Sequence, residues 1–253
     1  MKNKNTQNQN KIINILGSTD FQLVESFKAL RTNLLFSLPV KEGVNCRKIL
    51  FTSSDPGEGK TTTTANLAIS LAETETKVLL IDADMRKPTV HRYFHMEGRC
   101  GLSNILSGMN KLEECMQQIP ELPNLTVIPS GILPPNPSEL LSSSAMDKLL
   151  QSFENHFDYI IIDTPPVNAV TDALALVNRV DGVVMVIAQG HCTVPGATKA
   201  VETLRFAKAN ILGMVINRSV KIRQGYGKYG SYRYGAYRYG AYKKDIGEVP
   251  SKG

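Results

Sequence analysis

A doubly wound, mostly parallel α/β sheet with helices on both faces is the fold class this sequence predicts. Three observations predict it. Short apolar runs, at residues 77–82, 158–163, 183–188 and 211–217, alternate with longer helical patterns, and strands buried on both faces read as continuous apolar runs. Two of these runs close on a carboxylate, Asp82 and Asp163. An earlier run, from residue 49, breaks instead into Ser54-Asp55-Pro56-Gly57-Glu58-Gly59-Lys60-Thr61 before a helical pattern. Strand, Gly-rich loop and helix in that order are the setting of a phosphate-binding P-loop, so the sheet is expected to be that of a P-loop NTPase.

Each element follows in chain order. Thr19 or Asp20 caps a helix running to about Ser37. Leu23, Phe27, Leu30 and Leu34 give it one apolar face, and Glu25, Lys28 and Arg31 lie three apart on another. Spacing alone makes that second face a solvated charged stripe. Residues 39–47 read as a linker, 49–54 as a strand and 62–71 as a helix. The strand at 77–82 continues into Ala83-Asp84-Met85-Arg86-Lys87-Pro88. Residues 125–129 form a short strand, and 139–157 are largely helical. The strand 158–163 meets Thr164-Pro165-Pro166; a helix over 196–209 separates the last two strands. The expected organisation is a flexible N-terminus (1–19), a P-loop domain (20–217) and a disordered basic tail (218–253).

Composition bounds the class. The chain has 253 residues, 42% hydrophobic and 21% charged, normal values for a globular protein. No apolar run approaches the roughly 18–20 residues that span a bilayer, and residues 1–10 lack a signal-peptide core; the expected compartment is the cytoplasm. Cys46, Cys100, Cys115 and Cys192 show no C-x-x-C spacing, so free thiols are expected and no disulfide or zinc framework. His91, His95, His156 and His191 lack ligand spacing and read as surface or loop residues. The net charge of +6 is local: residues 218–244 hold eight Lys/Arg and no Asp/Glu, and the remaining 21 basic residues face 23 acidic ones.

The chemistry gathers at strand ends. In an open α/β sheet ligands bind beyond the carboxyl ends of the strands, where the P-loop, Asp82 with Asp84, and Asp163 all fall. Loop amides from Ser54 to Thr62 meet anionic phosphate, Gly57 and Gly59 admit close approach, Lys60 reaches the terminal phosphates and the Thr61 hydroxyl holds Mg²⁺. Asp163 suits the Mg²⁺ role of an acidic strand end. Asp82 or Asp84 shares the metal or accepts a proton from an incoming hydroxyl. Lys60, Asp82, Asp84 and Asp163 are thus the catalytic candidates, Thr61, Asp82 and Asp163 the metal ligands, and Arg86 a phosphate contact. Against the strict pattern G-x-x-x-x-G-K-[ST], Ser54 stands where glycine is expected. The partition and cell-division-site ATPases carry an early trans-acting lysine in this loop; here its position is Asp55.

Seven of the nine tyrosines lie in one Gly-rich stretch: Tyr226, Tyr229, Tyr232, Tyr234, Tyr237, Tyr239 and Tyr242. Composition alone leaves two readings, a binding arm for single-stranded nucleic acid or acidic lipid and a substrate for modification. Beside a P-loop the second gains. Each phosphotyrosine adds about −1.5 to −2 charges, so seven would reverse the sign of the tail.

Together these motifs resemble the bacterial tyrosine kinases of capsule and exopolysaccharide synthesis. The P-loop, Leu80-Ile81-Asp82-Ala83-Asp84-Met85-Arg86, Ile160-Ile161-Ile162-Asp163 and the tyrosine cluster carry the resemblance, with Gly101-Leu102-Ser103 and Pro135-Asn136-Pro137-Ser138-Glu139-Leu140-Leu141. It implies ATP- and Mg²⁺-dependent autophosphorylation of the tail in trans, between subunits of a ring. A Glu-x-x-Arg-x-x-Arg motif supports that ring in the family; here it is Glu25-x-x-Lys28-x-x-Arg31, and Lys loses the bidentate fork. The resemblance further implies a membrane-anchored activator that recruits the chain to the inner face of the membrane and completes the site. It implies a tyrosine phosphatase and sugar-metabolism enzymes as further partners, no nucleic acid, and an adenine-side region at Asn217 and Arg218. The alternative is a P-loop ATPase scaffold that positions partners without phosphorylating tyrosine.

Overall fold

The structure is a computed structural model that describes residues 14–39 and 46–219. The tyrosine cluster, most of the linker and residues 1–13 lie outside the described residues.

Helix α1 (Phe21–Ser37) opens on Asp20, whose carboxylate accepts from the Gln22 and Leu23 amides. Replacing Asp20 by Ala leaves those amides without their cap and is expected to lower the stability of the chain by about 1 kcal/mol, read as a shift of the urea midpoint. Residues 14–19 correct one expectation. Ile15 is buried and its amide donates to Asn66 Oδ1 at 2.8 Å, a long-range partner that local composition does not reveal.

Seven strands form one sheet: β1 (Arg47–Ser53), β2 (Val78–Asp82), β3 (Gln117–Ile119), β4 (Leu122–Ile128), β5 (Tyr159–Asp163), β6 (Gly182–Ala188) and β7 (Ile211–Asn217). Their order is β3-β4-β2-β5-β1-β6-β7. Every pairing is parallel except β3 with β4. The strands alternate between two cores. Ile49, Phe51, Val78, Leu80 and Ile161 pack beneath α2 (Lys60–Ala72) on the α1 side. Leu50, Leu79, Ile81, Ile160 and Ile162 face the opposite core, with residues of α7 (Ser144–Ser152) and α8 (Val194–Phe206). Two buried faces explain why these strands read as unbroken apolar runs.

Short elements complete the chain: α3 (Val90–Tyr93), α4 (Leu102–Leu106), α5 (Leu112–Cys115) and α6 (Pro137–Ser142). The helix expected over 139–157 is two helices, broken at Ser143, whose hydroxyl caps α7. Cys100 and Cys115 form a disulfide, which corrects the expectation of free thiols throughout; Cys46 and Cys192 are free.

Candidate nucleotide site

The register of the sheet assembles the site. Phe51 pairs with Asp163 and Asp163 pairs with Asp82, so the end of the P-loop strand and both acidic strand ends stand side by side. The loop leaves β1 and returns as α2 at Gly59, whose φ of 84° only glycine adopts readily. A Cβ there would lie 1.9 Å from Asn217 Nδ2.

Ser54, the departure from the usual glycine, has a structural reason. Its buried hydroxyl hydrogen-bonds both carboxylate oxygens of Glu58, at 3.0 and 2.9 Å. The Asp55 amide donates to Glu58 Oε2 at 3.0 Å. Glu58, 1% exposed, thereby ties the loop across its own width. Other elements brace the outside. Asn217 Nδ2 donates to the Glu58 carbonyl at 2.9 Å, Arg218 Nη2 to the Gly57 carbonyl at 2.7 Å, and His191 Nε2 lies 3.0 Å from the Pro56 carbonyl. The buried carboxylate and His191 escaped the sequence reading, because every bond they make depends on the folded loop or on residues more than a hundred positions away.

Lys60 Nζ donates to Asp163 Oδ1 and Thr61 Oγ1 to Asp163 Oδ2, each at 2.6 Å. Thr89 Oγ1 donates to Thr61 Oγ1 at 3.0 Å. Asp163 is fully buried, and desolvation pushes its pKa up against the opposing charge of Lys60 and the bonds from Lys60 and Thr61. These oxygens are hard donors and fit Mg²⁺, which takes one or two carboxylates and draws its other ligands from phosphate and water. Among the described residues no group of three or more His, Cys, Asp or Glu could hold a metal ion by itself.

Geometry separates Asp82 from Asp84. Asp82 is fully buried: Oδ1 accepts from the Asp84 amide at 3.1 Å, Oδ2 from the Thr89 and Val90 amides at 3.2 and 3.1 Å. Burial, then the charge of Asp163, pushes its pKa up to about 8. Both its oxygens shape the 84–90 turn. Asp84 uses Oδ1 alone, accepting from the Arg86 and Lys87 amides at 3.3 and 3.0 Å. Arg86, expected on phosphate, turns its fork elsewhere. Nε and Nη2 donate to Asp172 at 2.8 and 3.0 Å, and Asp172 also accepts from Ser138. The turn is thus pinned to α6.

On α1, Glu25 and Lys28 pair with each other at 2.8 Å while exposed. Arg31 Nη1 donates to the Ser70 carbonyl and lies 3.3 Å from its hydroxyl. One of the three expected ring residues therefore fastens α1 to α2.

Residues 46–222 match the family described as AAA domain. The chain is 42% identical over 208 residues to the tyrosine-protein kinase YwqD of Bacillus subtilis, covering 82% of this chain and 86% of that protein. It is 39% identical over 209 residues to the tyrosine-protein kinase CpsD of Streptococcus agalactiae, covering 82% and 89%. Among solved structures, the kinase domain of the Escherichia coli tyrosine kinase ETK superposes with a TM-score of 0.74 at 35% identity, covering 83% of this chain and 80% of that one.

Proposed function

The chain belongs to the bacterial tyrosine-protein kinases, and from that premise we propose that it transfers the γ-phosphoryl group of ATP to tyrosines 226–242 of a neighbouring copy, in service of capsule or exopolysaccharide synthesis. The observation that carries the reading is Asp163 joining Lys60 and Thr61 beside Asp82 and Asp84. The relatives do not favour the scaffold alternative.

Phosphoryl transfer asks for positioning and charge neutralisation more than covalent help. In this reading the loop amides from Ser54 to Thr62 cradle the phosphates, with Glu58 and Ser54 holding the loop open to them. Lys60 neutralises charge on the transferring group. Thr61 and Asp163 would hold Mg²⁺, which would supply Lewis-acid charge stabilisation. The tyrosine oxygen bonds to the γ-phosphorus, the bond from that phosphorus to the β,γ-bridging oxygen breaks, and ADP leaves. Asp84, with its Oδ2 unengaged among the described residues, accepts the phenolic proton. Asp82 positions the turn that carries Asp84. Asn217 and Arg218 support the loop from outside.

Among the described residues no helix is long and apolar enough to cross a membrane. A cytoplasmic chain recruited by a membrane-anchored activator, and assembled into a ring through the Glu25–Arg31 face, completes the proposal. The test incubates the full chain with ATP, Mg²⁺ and the activator's cytoplasmic segment, and maps phosphopeptides by mass spectrometry. Phosphotyrosine within residues 226–242 is the expected result. Turnover with water as sole acceptor would overturn it.

A further inference from the structure

A second cleft opens beside the nucleotide site and has no part in the chemistry above. It encloses about 760 Å³, within the roughly 300–1,000 Å³ of small-molecule sites. One wall is the 86–89 turn that Asp82 shapes. The next carries His91 and Arg92 on α3. Arg99 and the exposed Ile132 and Leu133 complete it. Among the described residues no carboxylate lines the cleft. Arg86 is neutralised by Asp172, but among the described residues Lys87, Arg92 and Arg99 have no acidic partner. Burial, then the Arg92 charge, lowers the His91 pKa. The cleft is therefore positive at its charged walls and mostly apolar in surface, and Thr89 connects it to Thr61 through a 3.0 Å hydrogen bond.

We propose that this cleft binds phosphotyrosine, and that its occupant is the phosphorylated 226–242 stretch of a second copy of this chain. Two observations select that ligand. Guanidinium and ammonium groups meet phosphate with charge-assisted bonds, while Pro88, Ile132 and Leu133 offer apolar surface to a ring. The charge of the stretch decides which form binds. Unphosphorylated, it carries Lys228, Arg233 and Arg238 and no acid, so the cleft repels it. Each phosphate adds about −1.5 to −2 charges, so two cancel the three positive charges of the stretch and a third reverses its sign. The cleft thus distinguishes product from substrate and retains the product next to the crevice.

The inference rests on the kinase reading for the origin of the phosphate, but its test does not. Peptides spanning residues 224–242 are synthesised with no phosphotyrosine or with two, and titrated against the dephosphorylated full chain by fluorescence anisotropy. The phosphorylated peptide is expected to bind at least about 10-fold tighter, with an affinity that falls as salt rises. R92E/R99E is expected to abolish that preference. K148E, an exposed charge reversal on α7 outside the cleft, is expected to keep it. Equal binding of both peptides, or a preference that survives R92E/R99E, overturns the proposal. Binding of R92E/R99E-sensitive anionic vesicles without peptide discrimination assigns the cleft to lipid and overturns it equally. A preference found in a chain without kinase activity would leave the cleft standing and remove the kinase reading.

Discussion

Lys60→Met is expected to lower tyrosine phosphorylation by about 100- to 1,000-fold, the loss that follows removal of one group stabilising transition-state charge. It should also cost stability, in a way that identifies the cause. Lys60 is 7% exposed and Asp163 not at all. Methionine fills the volume of the stem and leaves the carboxylate buried with Thr61 as its remaining side-chain donor. Breaking a buried pair from one side costs about 3–5 kcal/mol. The converse variant, Asp163→Asn, strands the ammonium group instead. The double variant carries neither uncompensated charge and should be more stable than either single one, while remaining inactive. A cycle of urea midpoints read beside phosphotyrosine yield separates the two effects. Additive stability losses would show that the pair is not coupled.

The pH dependence of Lys60→Met carries a sign. Desolvation already raises the Asp163 pKa, and Lys60 opposes that rise. Removing Lys60 raises it further. A carboxyl whose folded pKa exceeds its unfolded value destabilises the fold when ionised in the unfolded state and forced to ionise in the folded one. That penalty grows as pH rises from the ordinary carboxylate value toward the raised one. Lys60→Met should therefore regain stability on acidification from pH 7 to 5, relative to the unsubstituted chain.

Much of the site was legible because the sheet is regular. Parallel strands with both faces buried announce themselves as apolar runs, and an acid closing such a run falls at the carboxyl edge. Asp82 and Asp163 were expected at that edge, and the pairing of β2 with β5 sets them side by side. What stayed hidden depends on the third dimension. Asp172 takes the fork of Arg86 across 86 residues. The Cys100–Cys115 pair spans 15 residues with no motif. The three-residue β3, antiparallel and irregular in register, is too short for periodicity to register. Ser143 ends α6 and caps α7, a break that a helical hydrophobic pattern overrides. Ser54, which breaks the strict loop pattern, is held by both carboxylate oxygens of Glu58. The loop motif leaves position 58 open, so no spacing rule connects Glu58 to Ser54.

Gly59→Ala tests how that loop is held, and its effect on the nucleotide should be as large as the loss of Lys60. Two independent costs meet at one methyl group. The backbone stands at φ 84°, a left-handed conformation that costs an L-residue about 1–2 kcal/mol. The methyl would also lie 1.9 Å from Asn217 Nδ2, an atom bonded to the Glu58 carbonyl at 2.9 Å. Relief requires Asn217 to withdraw, which releases that bond and moves the loop that presents its amides to phosphate. Misplacement of about 1 Å can cost about 100-fold in catalysis, and a similar fall in affinity for a fluorescent ATP analogue is expected. Gly59→Ala/Asn217→Ala divides the two costs. It removes the clash and leaves the backbone strain. Partial recovery of nucleotide binding would place the larger cost in the collision with β7. No recovery would place it in the backbone of Gly59. Full recovery would mean that the left-handed conformation is not required for binding.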